Sequence, residues 1–508
     1  MAEQYDIVIV GSGLGGLACG TILAKEGYKV CILEKNKQIG GNLQTYVRDR
    51  VIFDSGVHYV GGLDKGQNLY QLFKYLGIMD KLKLRKMDED VFDAIVFEGD
   101  PVIYKYAQGY ENFIQTLASQ FPGEEQALRN YCNAIKEVCD KFPLYNLRSG
   151  GGLFEKMTAL EMDTKTFIDS VTDNKKLQYV LAGNNLLYAG APYKTPFYVH
   201  ALIVNSYIES SYRFINGGSQ ISKYLSREIH SRGGKIIKHV KVVKFQEEGG
   251  EVVYVETDKG VRYYGKTFIS NIHPSQTLDM VESTLIKKAY RNRIKSLENS
   301  ISTFYANVVM TKDSFKHLNH NYYYFEREDP WSVLKYTEEN WPLGFALFFT
   351  TSSHDEEYTE GVTVMAYMRF EDVKKWEDTF NTVSNETSRG DDYEAFKKEK
   401  AEILFDVVER QFPGFKSCIK SYTTATPLSA RDYIGTDDGS LYGLTKDYRD
   451  PLKSFISPRT KIPNLLLTGQ NLNMHGVLGV TVSAVLTSSQ ILGMDYILEK
   501  IRNAQKDG

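Results

Sequence analysis

Apolar residues crowd into Tyr5–Val10, broken only by Asp6, then spread out to Leu17, Ala18, Leu23 and Ala24. They crowd again through Lys29–Leu33. Runs of that length suit buried parallel strands, and the spread positions suit the buried side of a helix, so the pattern predicts strand, helix, strand. Further on, "DAIVFEGDPVIYKY" (Asp93–Tyr106) predicts a hairpin turning at Glu98–Pro101. Helices are expected over Tyr110–Phe121 and Glu124–Lys141. Thr164–Tyr188 and Phe197–Ile208 are also mostly helical by pattern, the second unusually apolar and aromatic. After Ser300 the pattern turns to strands, in "STFYANVVMT", "NYYYFER", "GFALFFTTS" and "GVTVMAYMRF". The polar run Asn381–Glu394 predicts a solvated loop without chemistry, followed by a helix over Ala395–Gln411. No internal repeat is visible.

Punctuation of the first strand–helix–strand unit adds chemistry. Gly11, Gly13 and Gly16 have the Gly-x-Gly-x-x-Gly spacing between strand and helix. The first permits a tight turn, the second lets a pyrophosphate approach the backbone, and the third brings helix and strand together. The helix start offers unpaired N–H groups and a positive dipole end. Gly27 suits the helix stop, and Glu34 ends the second strand, where a carboxylate can accept from an adenosine ribose. Together these predict a dinucleotide site.

Composition narrows the partners. The 508 residues exceed one ordinary domain, and a net charge of −3 with 25% charged residues argues against nucleic-acid binding. Five scattered cysteines (Cys19, Cys31, Cys132, Cys139, Cys418) fit a reduced, cytoplasmic protein. Cys132 and Cys139 could share a helical face but lack metal-ligand company, and His230, His239, His273, His317, His320 and His354 show no metal spacing; no metal is expected. No signal peptide precedes the first strand and no run approaches a membrane span, while peripheral contact with a membrane's cytoplasmic face stays open. The 35 Tyr and 26 Phe suit either a large core or a ring-lined pocket.

Three later stretches favour a flavin over a nicotinamide. A Gly40–Gly41 pair follows the second strand, "INGGSQISKYLSREIHSRGGKIIKHVKVVKF" supplies a helix between Gly-Gly turns, and "NLLLTGQNLNMHGVLGVTVSAVLTSSQIL" predicts a last strand, turn and helix. A ribityl chain and isoalloxazine extend well past the first glycine turn, and this last unit can support them. With "FDSGVHYVGG" (Phe53–Gly62), "HALIVNSYIESSYRFINGG" (His200–Gly218), "ATPLSARDY" (Ala425–Tyr433) and "IPNLLLTGQNLNMHGVLG" (Ile462–Gly479), the chain resembles the FAD-dependent phytoene desaturase and carotenoid isomerase superfamily, most of all its retinol saturase branch.

The resemblance implies an α/β fold. A Rossmann-type FAD-binding domain of the glutathione-reductase-like, amine-oxidase and phytoene-desaturase type would occupy 1–75, 215–280 and 420–508. An inserted α+β substrate domain would take 76–214 and 281–419. It implies FAD as cofactor, with Gly11, Gly13 and Gly16 at the pyrophosphate, Glu34 at the ribose, Gly41 beside the pyrophosphate, and Leu14, Gly15, Lys35 and Asn42 as further cofactor-binding residues. Val242 would meet the adenine, and Gly469, Gln470, Gly479 and Val480 the ribityl chain and ring. Asn42 stands where many relatives place Arg, Gln470 where many place Asp or Glu, and "FINGG" replaces a Pro-Arg-Gly-Gly turn. No second Gly-x-Gly-x-x-Gly unit marks a dedicated NADPH domain, so the electron donor or acceptor is unassigned.

The implied reaction moves a hydride between flavin N5 and a carbon of a lipophilic polyene, with a proton at the neighbouring carbon. His58, His475 and Tyr59 are the candidates for handling that proton. Asp432 is expected to be a structural partner of Arg431 or a turn, and His200 a core or pocket residue. A flavin-dependent cis-trans isomerase, an amine oxidase and a lipid-binding flavoprotein without turnover are the alternatives.

Overall fold

The computed structural model describes residues 4–151, 153–353, 357–383 and 386–506. His354 lies outside the described residues. Two seven-stranded sheets organise the chain.

The first sheet is built on the opening motif. Gln4–Val10 pairs in parallel with Val30–Glu34 on one side (Ile7 opposite Val30) and with Arg262–Ser270 on the other (Val10 opposite Ser270). Lys235–Lys238 extends the sheet beyond Val30–Glu34, also in parallel. Arg262–Ser270 is long enough to serve two neighbours: its first residues meet the antiparallel hairpin Val242–Glu248/Glu251–Thr257, and its last three pair with Leu465–Leu467. All five residues of Val30–Glu34 are buried, as expected of a parallel strand covered on both faces. Helix Leu14–Lys25 covers one face and packs against helix Gly476–Leu492, so the two ends of the chain meet in one layer.

The second sheet runs Ile419–Ala425, Ser302–Met310, Gly361–Met368, Gly344–Phe349, Asn321–Phe325, Asp93–Phe97 and Tyr104–Tyr106. Its strands are antiparallel except where Asn321–Phe325 meets Asp93–Phe97. Alternation sorts its side chains into two cores. Ile95, Tyr305, Tyr323, Phe348, Met365 and Tyr367 face the helices and the large cavity. Ala94, Phe304, Ala306, Tyr324, Phe345 and Val364 pack under helix Asp391–Gln411. Both faces are apolar, which is why these strands read as unbroken apolar runs.

Local differences from the sequence reading have physical causes. The helix expected to start at Ala395 starts at Asp391, because Asp391, Asp392 and Glu394 lie in its first turn, where carboxylates favour the dipole's positive end. The preceding run is also not wholly solvated: Arg389 donates to buried Asp432, and the Asn381 amide donates to the same carboxylate at 2.7 Å. Cys132 and Cys139 are buried on helix Glu125–Asp140. Among the described residues no helix is long and apolar enough to cross a membrane, and no three His, Cys, Asp or Glu side chains gather as metal ligands.

Candidate functional site

The parallel strands of the first sheet end together at a glycine cluster. Gly11 turns the chain with φ +94°, and Gly13 precedes helix Leu14–Lys25, whose first turn no side chain caps. A Cβ on Gly16 would lie 2.2 Å from the Gly11 carbonyl oxygen, and one on Gly15 would lie 3.0 Å from the Cα of Gly469. Gly469, with φ +103°, follows Leu465–Leu467 and Thr468, so the first and last glycine turns touch although more than 450 positions apart. Asn271, which the sequence reading missed, fills the gap between them: its Nδ2 donates to the Gly11 carbonyl at 3.4 Å. A polar residue directly after the apolar end of Arg262–Ser270 was the available signal.

Glu34 sits at the cavity wall. Its Oε2 accepts from the Ser12 amide at 3.0 Å and the Ser12 hydroxyl at 2.5 Å, and its Oε1 accepts from the Asn36 amide at 2.8 Å. An ionised carboxylate has about four acceptor positions, so one stays open toward the cavity. Ser12 was not singled out from sequence. Lys35 donates to the Asp432 carbonyl at 3.1 Å, and burial lowers its pKa. Gly40 and Gly41, both at positive φ, fold back so that the Gly40 amide donates to the Ser12 carbonyl at 3.0 Å; Asn42 packs on Gly56.

Gly11, Gly13, Gly15, Glu34, Lys35, Gly41, Asn42, Asn271 and Gly469, with Val242, Gln470, Gly479 and Val480, line one cavity of about 1410 Å³, whereas Gly16 packs behind it. That exceeds the ~300–1,000 Å³ usual for a single ligand site. Helix Gly476–Leu492 starts on its wall; its N-cap His475 makes no capping hydrogen bond, leaving the first N–H groups unsatisfied by side chains. Gly479 also has a packing reason, since a Cβ there would lie 2.8 Å from the Met474 carbonyl oxygen.

Beyond the glycines the wall becomes aromatic. His58 lies flat on Phe348, with centroids 4.4 Å apart and planes at 9°. Burial, reinforced by Arg213, pulls its pKa down to about 3, so the imidazole is neutral, and its Nε2 has no hydrogen-bond partner. Tyr59 lines the same wall, but its hydroxyl is engaged: it donates to Asp93 at 2.9 Å and meets the Tyr323 hydroxyl at 2.8 Å. Asp93, fully buried, is pushed up to about 7 by desolvation, against hydrogen bonds from Asn321 and Tyr59 and the charge of Arg213. His475 Nε2 bonds the Leu187 carbonyl at 3.0 Å, which identifies it as the protonated nitrogen; burial lowers its pKa to about 4. His200 lies instead in the core, between the hydroxyls of Tyr131 (2.6 Å) and Tyr188 (2.8 Å). Asp432 holds Arg431 (3.0 Å) and Arg389.

The cavity continues past this wall between helices Phe197–Glu209 and Gly476–Leu492. Tyr207, Ile203, Leu202 and Tyr198 line it from the first, Leu478, Val482 and Leu486 from the second. Tyr207 stacks on Tyr59 at 4.4 Å at one end, and Tyr198 stacks on Phe142 at 5.2 Å at the other. Nine helical residues separate Tyr198 from Tyr207, which makes this channel about 13 Å long.

Comparison with known proteins agrees with this geometry. Residues 9–76 match the profile of an NAD(P)-binding Rossmann-like domain. All-trans-retinol 13,14-reductase of Rattus norvegicus is 27% identical, over 96% of this chain and 86% of its own. Prolycopene isomerase 2, chloroplastic, of an Oncidium hybrid cultivar is 23% identical over 96% and 84%. Among solved structures, putrescine oxidase bound to putrescine superposes with a TM-score of 0.63 at 14% identity, over 98% of this chain and all of that one (100%). Fold and cradle together define a dinucleotide-binding protein of two-sheet, flavoprotein-type architecture. Over nearly its whole length the chain is similar to all-trans-retinol 13,14-reductase and to prolycopene isomerase.

Proposed function

We propose that this protein is an FAD-dependent oxidoreductase that saturates or desaturates a carbon–carbon double bond of a lipophilic polyene. One observation carries the reading: a single cavity is lined both by the two-ended glycine cradle and by the apolar and aromatic side chains of the channel. The residues present fit FAD. Glycines stand where a Cβ would fill the cradle, Glu34 keeps an acceptor position open, and two helices with side-chain-uncapped N-termini border the cavity. Bound there, FAD supplies hydride transfer at its N5.

The chain's own residues do the rest. Gly11, Gly13, Leu14, Gly15, Gly16, Gly41 and Asn42 hold the pyrophosphate, Glu34 and Lys35 the ribose, and Val242 the adenine side. Gly469, Gln470, Gly479 and Val480 hold the ribityl and pyrimidine end. Phe348, Tyr305 and Tyr207 keep water from the reacting carbons and position an extended chain. His58, neutral and with Nε2 unpartnered, moves the proton at the carbon beside the one exchanging hydride. Tyr59 positions that wall through Asp93, and His475 fixes the helix start by its bond to Leu187. The discontinuous nucleotide domain (1–75, 215–280, 420–508) frames an inserted substrate domain (76–214, 281–419). The lipophilic substrate is met on the cytoplasmic side, and electrons pass to or from an external two-electron carrier.

The purified protein should be yellow and release stoichiometric FAD on heating. With all-trans-retinol and a chemical reductant, mass spectrometry should find a product heavier by two hydrogens. Colourless protein that cannot be reconstituted overturns the reading. A product of unchanged mass with shifted double-bond geometry would instead support the isomerase reading that the prolycopene isomerase similarity favours.

A further inference from the structure

Where the last glycine turn runs into helix Gly476–Leu492, the cavity wall carries an ammonium. Lys446 lines the cavity together with Leu472, Asn473 and His475. Its Nζ donates to the Ser454 carbonyl at 3.1 Å and, at a long 3.5 Å, to the Leu472 carbonyl. An ammonium has three N–H donors, so one is left over. Both partners are neutral. Among the described residues no carboxylate offsets the charge: burial alone moves its pKa, down to about 8, and the group stays protonated at neutral pH.

Local structure fixes this placement. Gly443 turns at φ +71°, and a Cβ there would lie 2.3 Å from Asn471 Oδ1. The close approach lets Asn471 Oδ1 accept from the Leu444 amide at 3.0 Å, which ties the chain just before Lys446 to the turn after Gly469. The Gly443 carbonyl accepts from the Ser300 amide at 2.7 Å, and the Thr445 amide donates to the Glu298 carbonyl at 2.8 Å. Leu444, Ile456 and Leu472 belong to one buried cluster. Lys446 is therefore held at the turn that carries Gln470 and leads to His475.

A second positive feature shares this corner. His475 precedes helix Gly476–Leu492 without making a side-chain cap, which leaves the helix's positive end open. Burial first, and then the charge of Lys446, hold the His475 imidazole neutral. A cation drawn partly out of water beside a helix N-terminus, with no anion of the chain's own, is costly until a negative group arrives. FAD brings two. Its pyrophosphate belongs to the opening glycines. Hydride transfer to N5 adds two electrons and one proton, and the remaining negative charge settles on N1 and the C2 carbonyl oxygen. Resting on the FAD reading above, we propose that Lys446 stands at the pyrimidine side of the flavin and stabilises that charge, raising the reduction potential of the bound cofactor.

The test is the reduction potential of the FAD-loaded protein, measured by dithionite titration against a reference dye with no polyene present. Lys446→Met removes the charge and keeps an unbranched side chain. It should retain FAD as the wild type does, while its reduction becomes about tenfold less favourable or worse, a fall of about 30 mV for two electrons. Between pH 5.5 and pH 7.5 the wild-type potential should move by about 30 mV per pH unit, the mark of one proton taken up per two electrons. An unchanged potential in the variant overturns the proposal, and so does a wild-type slope twice as steep, which means a neutral reduced ring. A variant with normal circular dichroism that loses FAD assigns Lys446 to the pyrophosphate and also overturns it. Should Lys446→Met not fold, Lys446→Gln takes its place, and should neither fold, the wild-type slope decides. Wild type that stays colourless after reconstitution overturns the FAD reading itself, so the two failures are distinguishable.

Discussion

Gly15 shows why single positions decide cofactor retention. A Cβ there would stand 2.5 Å from Asn271 Oδ1 and 3.0 Å from the Gly469 Cα, and the second of these is backbone that cannot swing away. Gly15→Ala should lower FAD retention by about tenfold or more, read as the flavin-to-protein absorbance ratio after dialysis, with far-ultraviolet circular dichroism unchanged. His58 separates packing from chemistry. His58→Phe keeps an aromatic ring, one atom larger, against Phe348 and removes both nitrogens. Flavin content should stay normal, while turnover should fall by about 10²–10⁴-fold, the range of a lost proton-transfer group. Unchanged turnover would remove His58 from the proton path.

At the scale of elements, the short helix Pro427–Ile434 ties the two sheets' surroundings together. Thr426 caps it, accepting from the Leu428 amide at 3.2 Å, and Pro427 occupies its first turn. From its last turn Asp432 gathers Arg431, Arg389 and the Asn381 amide, all in a nearly dry setting, and Lys35 of the nucleotide cradle donates to its carbonyl. Asp432→Ala would leave two guanidinium groups without their carboxylate. It should cost about 3–5 kcal/mol in urea unfolding. Thr426→Ala removes a cap alone and should cost about 1 kcal/mol. A smaller loss for Asp432→Ala than for Thr426→Ala would contradict this account.

For the whole molecule, buried titratable groups set an acid limit. His58, His200, His317 and His475 are pulled down to between about 3 and about 4, chiefly by burial. Below the unfolded value near 6.5 the unfolded chain takes up protons that these groups refuse in the folded state, so stability falls as pH drops. Asp54 and Asp93 act oppositely: burial raises both to about 7, so their contribution is present in acid and lost as pH rises from about 4 toward 7. The variant His200→Gln isolates one group. Wild type should lose about 1.4 kcal/mol more than the variant between pH 7.5 and pH 5.5, measured by denaturant midpoint at each pH.

The sequence alone determined what depends on neighbours along the chain. The unit from Tyr5 to Glu34 was legible because a buried parallel strand, a glycine turn and a helix each leave a local pattern, and Gly11 to Gly16 fix the turn by backbone sterics. The fold class was legible for the same reason, from motifs at both ends. Tertiary structure decided what depends on partners far apart. That Gly15 touches Gly469 through Asn271 follows from three parallel strands ending together, which no spacing records. That Tyr59 turns its hydroxyl to Asp93 while His58 keeps an unpartnered nitrogen depends on the second sheet, whose two faces are equally apolar in sequence. Burial and hydrogen-bond satisfaction are properties of the packed whole, so the chain could announce its cradle but not which side chains the cradle leaves free.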